Sequence, residues 1–156
     1  MTNEFLKRMV KEKVVQLVQP SEEMKEANLR KSNSHLHSAR VLFENGLFEE
    51  SVSMSYYSMY HSVMALFFAT GIKCENHSAT ILLLSGVFDF DSRQLSRAKK
   101  ERIDKQYYAS SAPARSDAET LLRVAEVFDS SLLDRIDRLT RDQIEQYRAK
   151  FLKSVL

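Results

Sequence analysis

The stretch LFEESVSMSYYSMYHSVMALFFATG, residues 47–71, decides the fold. No proline or glycine interrupts it before Gly71, and residues 55–71 contain no Lys, Arg, Asp or Glu. A run of roughly 24 residues without a breaker reads as a helix about 36 Å long, ended by Gly71 as a left-handed cap. Its second half is apolar on more than one face, which suits the central helix of a bundle. Three tyrosines and a histidine interrupt that apolar surface. Helical spacing puts Tyr57, His61, Met64 and Phe68 on one stripe and Tyr56, Tyr60, Val63 and Phe67 on the next. A histidine in such a stripe is ordinarily a hydrogen-bonded core group, yet a pKa near neutrality also equips it for proton transfer.

Outward from this helix the punctuation is sparse. Asn45-Gly46 lies between two helical patterns and reads as a helix–helix connection rather than a hairpin. The preceding helix carries Leu29, Leu36, Ala39, Leu42 and Phe43, with Ser21 as its cap and Glu22 and Glu23 in its first turn. Before Pro20, the segment 4–18 shows apolar residues at helical spacing and predicts about four turns of helix. After Gly71, "IKCENH" reads as a loop, and His77 or Ser78 opens a short apolar helix. Asp91 or Ser92 caps a basic helix, and Pro113 marks a linker. Ser116 to Glu119 and Thr140 to Gln143 have capping-box spacing and start the last two helices. The expectation is an all-α antiparallel up-and-down bundle of four to five core helices, with additional helices at both termini.

The chain has 156 residues, enough for one domain that buries about two-thirds of its unfolded surface. Three glycines and two prolines disfavour a turn-rich β fold. One cysteine excludes an internal disulfide, and no apolar run approaches a membrane span. A charged N-terminal stretch is unlike a secretory signal, so the expectation is a cytoplasmic protein without membrane contact. The net charge is only +2, but residues 93–115 carry seven Lys and Arg against two Asp and Glu. This concentrated basic segment can attract phosphate.

Several chemistries are excluded. His35 and His37 are two residues apart, about 200° around a helix, and cannot share an ion. Cys74 and His77 have a C-x-x-H spacing without a second pair, so no metal is expected. The glycine signatures of phosphate-binding loops and the G-x-S-x-G elbow do not occur. Asp89 and Asp91 read as loop caps rather than a catalytic carboxylate pair, and nothing points to a cofactor.

The pattern Tyr56-Tyr57-Ser58-Met59-Tyr60-His61, through Ala65-Leu66 to Gly71, resembles the HEPN domain, in particular its small single-domain members once grouped as an uncharacterised family. "SARVLFENGLFEESVSMSYYSMYHS" is similar to that family's first helical hairpin, and "CENHSATILL" to its segment with a His-Ser pair. "ERIDKQYYA" followed by "SDAETLLRVAEVF" is similar to its Arg…Asp/Tyr segment and final helix. The resemblance covers about residues 28–138 of a single domain spanning 1–156, with 1–20 and 139–156 as flanking helices.

The resemblance implies a helical bundle that forms a homodimer with the histidine helix at the cleft. Many members are metal-independent ribonucleases, or toxins beside a small nucleotidyltransferase. Their motif is Arg-x(4–6)-His, whose histidine maps onto His61. The arginine would then fall at Met54, Ser55 or Tyr56, and none is arginine. Metal-free RNA cleavage needs proton transfer and charge stabilisation on phosphorus, and a guanidinium supplies the second. Arg40, Arg102 and Arg115 are the arginines that another helix could bring to His61.

Three functions follow. The first is an RNA- or nucleotide-binding HEPN protein, partner of a nucleotidyltransferase, whose cleavage is impaired by the missing arginine. Its candidate residues are catalytic His61 with Tyr57, Arg102, Lys105, Tyr107 and His77 as ligand-binding groups. The second is an active ribonuclease using His61 and an arginine from another helix. The third is a non-catalytic dimeric interaction protein with His61 as a core residue.

Overall fold

The computed structural model describes residues 2–103 and 114–156. Its elements run α1 (Thr2–Lys11), β1 (Val15–Leu17), α2 (Glu22–Glu44), α3 (Phe48–Thr70), β2 (Ile72–Cys74), α4 (His77–Gly86), α5 (Arg93–Ile103), α6 (Arg115–Asp137) and α7 (Arg141–Val155). The all-α expectation holds, with one two-stranded ladder added.

α3 is the central helix. It packs along α2, α6 and α5, and Val52, Tyr56, Met59, Val63, Leu66 and Phe67 are each at most 1% exposed. The α2–α3 hairpin turns at Gly46, whose φ of 74° needs a residue without a Cβ penalty. Small residues hold the two helices close. The Ser32 hydroxyl donates to the Ser58 carbonyl at 2.8 Å, and the Ser58 hydroxyl, 2.9 Å from the Ser32 carbonyl, shares its one proton between that carbonyl and Asp129 Oδ2. Farther along, Ser51 Oγ donates to the Ala39 carbonyl at 2.8 Å. Each buried hydroxyl thereby finds an acceptor, so close approach leaves no unpaired proton at these positions.

Two expectations are corrected. The segment 4–18 is not one helix: α1 stops at Lys11, Lys13 turns through φ 60°, and residues 15–17 form a strand. "IKCENH" is not wholly loop, because Ile72–Cys74 pairs antiparallel with Val15–Leu17 in the register Val15↔Cys74. Val14, Val15 and Val18 are β-branched and fit a pleated surface better than a helix. The partner strand follows Gly71 directly, and Val15 and Ile72 are fully buried. Local periodicity thus yielded to a pairing 57 residues away in sequence.

The caps largely follow the sequence. Ser21 accepts from Met24 N–H and Thr140 from Gln143 N–H, while Asn76 caps α4 by accepting from Ala79 N–H. α6 differs: it begins at Arg115, and Asp117 Oδ2 accepts from Ala114 N–H in place of a Ser116–Glu119 box.

α7 is fastened to the end of α3. Arg148 Nη1 donates to the carbonyls of Val18, Thr70 and Gly71 at 2.8, 3.1 and 2.9 Å. A guanidinium there satisfies terminal carbonyls and meets the negative end of the α3 dipole. Phe151, 2% exposed, the stacked Phe67 and Phe88 rings and Tyr147 tilted against Phe88 complete this end of the core.

Gly71 has φ 79°, and a Cβ there would overlap Arg148 Nη1 and the Val18 carbonyl. Gly71→Ala is expected to cost more than about 3 kcal/mol, from left-handed strain plus overlap. Gly46→Ala, at φ 74° with open space around it, should cost only about 1 kcal/mol. Urea unfolding of the two variants measures the difference.

Candidate functional site

Four helices bring aromatic and nitrogen-bearing side chains together on the stripe of α3 that carries Tyr57 and His61. α2 contributes Asn28 and His35, α4 contributes His77, and α5 contributes Lys99 and Arg102. Asn28 is 5% exposed and its amide N donates to the Met24 carbonyl at 2.9 Å. That bond orients the amide so that Oδ1 faces His61 Nδ1 at 3.0 Å. Oδ1 can only accept, so Nδ1 carries the proton and Nε2 keeps a free lone pair. Burial first, then the neighbouring His35, Lys31 and His77 charges, hold His61 down at about 4. At neutral pH His61 is therefore an uncharged base, stacked on His35 with ring centroids 5.2 Å apart.

His77 is set the opposite way. It occupies the first position of α4, its ring stacked 4.1 Å from Tyr60 at 11°. The hydroxyl of fully buried Tyr56 lies 2.5 Å from His77 Nδ1. Burial raises the Tyr56 pKa, so the phenol keeps its proton and donates it. His77 then carries its proton on Nε2. Burial, Arg102 and Lys99 all lower its pKa and keep it neutral. One histidine thus offers an acceptor and the other a donor.

Arg102 closes the cluster. Its guanidinium lies 5.3 and 5.4 Å from the ring centroids of Tyr56 and Tyr57, and Nη1 donates to Tyr57 Oη at 3.2 Å. Such stacking on two rings holds a guanidinium in place. Beside it, Lys99 Nζ donates to Ser78 Oγ at 2.8 Å. The other two candidate arginines are elsewhere: Arg40 pairs with Glu126 at 3.1 Å, and Arg115 lies over Phe43 at 4.9 Å.

Two of the three motif positions are closed to arginine. Ser55 and Tyr56 are fully buried, so a guanidinium at either would be enclosed, whereas Met54 is only partly buried. Of the candidate residues, Tyr57, His61, His77 and Arg102 lie around this cluster, whereas Lys105 and Tyr107 lie outside the described residues. Sequence reading missed Asn28, His35, Tyr56, Tyr60 and Lys99 as parts of the cluster. A signal was present: Asn28, Ser32 and His35 follow i, i+4, i+7 spacing, a polar stripe on the face that α2 turns to α3.

Among the described residues no group of His, Cys, Asp and Glu could hold a metal ion. Cys74 Sγ instead bonds the Asn76 carbonyl and Thr80 Oγ1. Asp91 grips Arg93 and Asp89 pairs with Lys150, so neither carboxylate is available for a catalytic pair. No helix in the described residues is long and apolar enough to cross a membrane.

This is an all-α bundle with a histidine, tyrosine and arginine cluster against its central helix. Its sequence matches the HEPN domain model over residues 26–135, and the chain belongs to the HEPN family. It is 31% identical over 109 residues to a UPF0332 protein of Archaeoglobus fulgidus, covering 66% of this chain and 87% of that one. A Methanocaldococcus jannaschii protein named "Putative toxin" is 24% identical over 145 residues, 88% of this chain and 96% of the relative. A UPF0332 protein of Gloeobacter violaceus is 33% identical over 100 residues, 59% of this chain and 79% of the relative.

Because folding lowers the His61 pKa, His61 contributes stability above about pH 6.5 that is lost as pH falls toward about 4. Asn28→Asp sets a carboxylate against Nδ1–H and should raise the His61 midpoint by about one unit or more. Histidine-resolved NMR titration checks both, and an unmoved midpoint in the variant would refute the Asn28 contact.

Proposed function

We propose that the chain is the toxin-like member of a toxin–antitoxin pair, and that the cluster beside α3 binds RNA or a nucleotide. The observation that carries this reading is Arg102, stacked on Tyr56 and Tyr57 with Lys99 beside it. A phosphate meets Arg102 and the Nε2–H donor of His77, while the half-buried rings of Tyr57, His35 and His61 offer flat surfaces for a base. Kinship with the M. jannaschii protein supports the toxin assignment, because the match runs across nearly the whole of both chains. A second copy of the chain at the α3 face and a nucleotidyltransferase antitoxin are the partners that family membership suggests.

Arg102 also favours a second reading, cleavage. It is the candidate arginine that reaches this cluster, one tyrosine ring from the His35–His61 stack. In that reading His61 Nε2 takes the proton of the ribose 2′-hydroxyl, the 2′-oxygen bonds to phosphorus as the bond to the 5′-oxygen breaks, water protonates that leaving oxygen, and Arg102 stabilises charge on the attacked phosphate.

Fluorescence anisotropy with a single-stranded RNA oligonucleotide tests the first reading. Binding should weaken with rising salt, and Arg102→Ala should weaken it by about tenfold or more. Salt-independent binding, or full affinity in the variant, would overturn it. Incubating the same RNA with wild-type protein and with His61→Ala separates the two: fragments formed by wild type alone support cleavage, and intact RNA in both supports binding only.

A further inference from the structure

A different stripe of α3 carries Ser58 and Ser62, one turn apart, and it faces α6. There a carboxylate, Asp129, is set against three serines. Ser58 Oγ donates to Asp129 Oδ2, while Oδ1 is buried and accepts no hydrogen bond. Beside the carboxyl, between α2 and α6, lies a cavity of about 570 Å³. Asp129, Ser32 and Ser62 line its polar end, and Leu29, Leu36 and Leu133 line its apolar walls.

At the Asp129 end of this cavity the hydrogen-bond inventory favours acceptors. Ser32 Oγ donates to the Ser58 carbonyl and Ser62 Oγ to the Met59 carbonyl at 2.7 Å, and both hydroxyls also lie near enough to favour the Asp129 carboxylate. Both oxygens retain lone pairs, as does Asp129 Oδ1. These three oxygens, one of them on a carboxylate, line the polar end of the cavity. Asn33 and Ser130 complete its uncharged polar lining. Arg40 of α2 is paired with Glu126 of α6 at the rim, and Arg30 is exposed.

We propose that this cavity binds a primary alkylammonium ion, whose nitrogen donates to Asp129 Oδ1, Ser32 Oγ and Ser62 Oγ while its chain lies along Leu29, Leu36 and Leu133. An ammonium has three donors and matches three acceptors. A guanidinium is the poorer fit, because its fork needs both carboxylate oxygens and Ser58 already occupies Oδ2. Oδ1 is buried, and the broad terminal torsion of aspartate lets it turn to meet the ammonium. Burial pushes the Asp129 carboxyl up to about 6, against the neighbouring Ser58, Ser62 and Ser32 hydroxyls and the Arg40 charge. The carboxylate form is therefore available at neutral pH and lost below about 6, and ammonium binding should follow it.

The test titrates the full chain with n-butylamine at millimolar concentration, following the Asp129 carboxyl and the Ser32 and Ser62 amides by NMR. A saturable shift at those groups is expected at pH 7. It should weaken as pH falls below about 6, and n-butanol should not reproduce it. Asp129→Asn should reduce affinity by about tenfold or more, the effect of losing a hydrogen bond to a charged group. n-Butylguanidine should bind more weakly than n-butylamine. No saturable shift, the same affinity at pH 5 and pH 7, or full affinity in Asp129→Asn overturns the proposal. Should Asp129→Asn fail to fold, the pH series on wild type decides alone. None of these outcomes depends on nucleic-acid binding at the His61 stripe.

Discussion

The reciprocal pair of serine bonds between α2 and α3 is the contact on which the rest depends. Ser32 gives its hydroxyl proton to the Ser58 carbonyl, and Ser58 shares its own between the Ser32 carbonyl and Asp129, so the two helices meet at small-residue distance. Larger residues at either position would push the axes apart. Asn28 would then no longer reach His61, nor would His35 stack on it. The same pair supplies the hydroxyl that holds Asp129 and thus one wall of the α2–α6 cavity. A single crossing point sets the geometry of both stripes of α3.

Those stripes use burial differently. Around His61 and His77, burial suppresses positive charge, and fixed neighbours select the tautomers: Asn28 Oδ1 on one side and the Tyr56 hydroxyl on the other. The stripe presents neutral rings beside a stacked guanidinium. Around Asp129, burial instead disfavours the negative form, and serine hydroxyls offset only part of that cost. The two groups therefore pull stability in opposite directions with pH. Ionising Asp129 becomes costly as pH rises from about 4 to 6, whereas His61 loses its contribution as pH falls below about 6.5.

Much of this was legible in the sequence, and the failures have physical causes. α3 could be read from one uninterrupted stretch because its signals, apolar periodicity and a terminal glycine, are local. Tyr57, His61 and His77 could be singled out for the same reason. Val14–Val18 misled because an amphipathic period and a short buried strand leave similar traces over five residues, and only the distant Ile72–Cys74 edge separates them. Asp129 escaped notice because a lone carboxylate between Phe128 and Leu132 looks like an ordinary solvated residue until its serine neighbours arrive from two other helices.

By itself the sequence determined the helices, most of their caps, the central position of α3 and the absence of arginine from the positions before His61. These follow from local periodicity, breakers and side-chain size, all of which act within a few residues. Only the tertiary structure decided that α5 brings Arg102 onto Tyr56 and Tyr57, and that Asn28 and Tyr56 give the two histidines opposite tautomers. It alone also fastened α7 to α3 through Arg148. Each of these joins residues dozens of positions apart except Tyr56 and His77, which are 21 apart, and distance along the chain carries no spacing signal. The charges and protons of such a site are set by which helix faces pack together, a property of the assembled bundle rather than of any one segment.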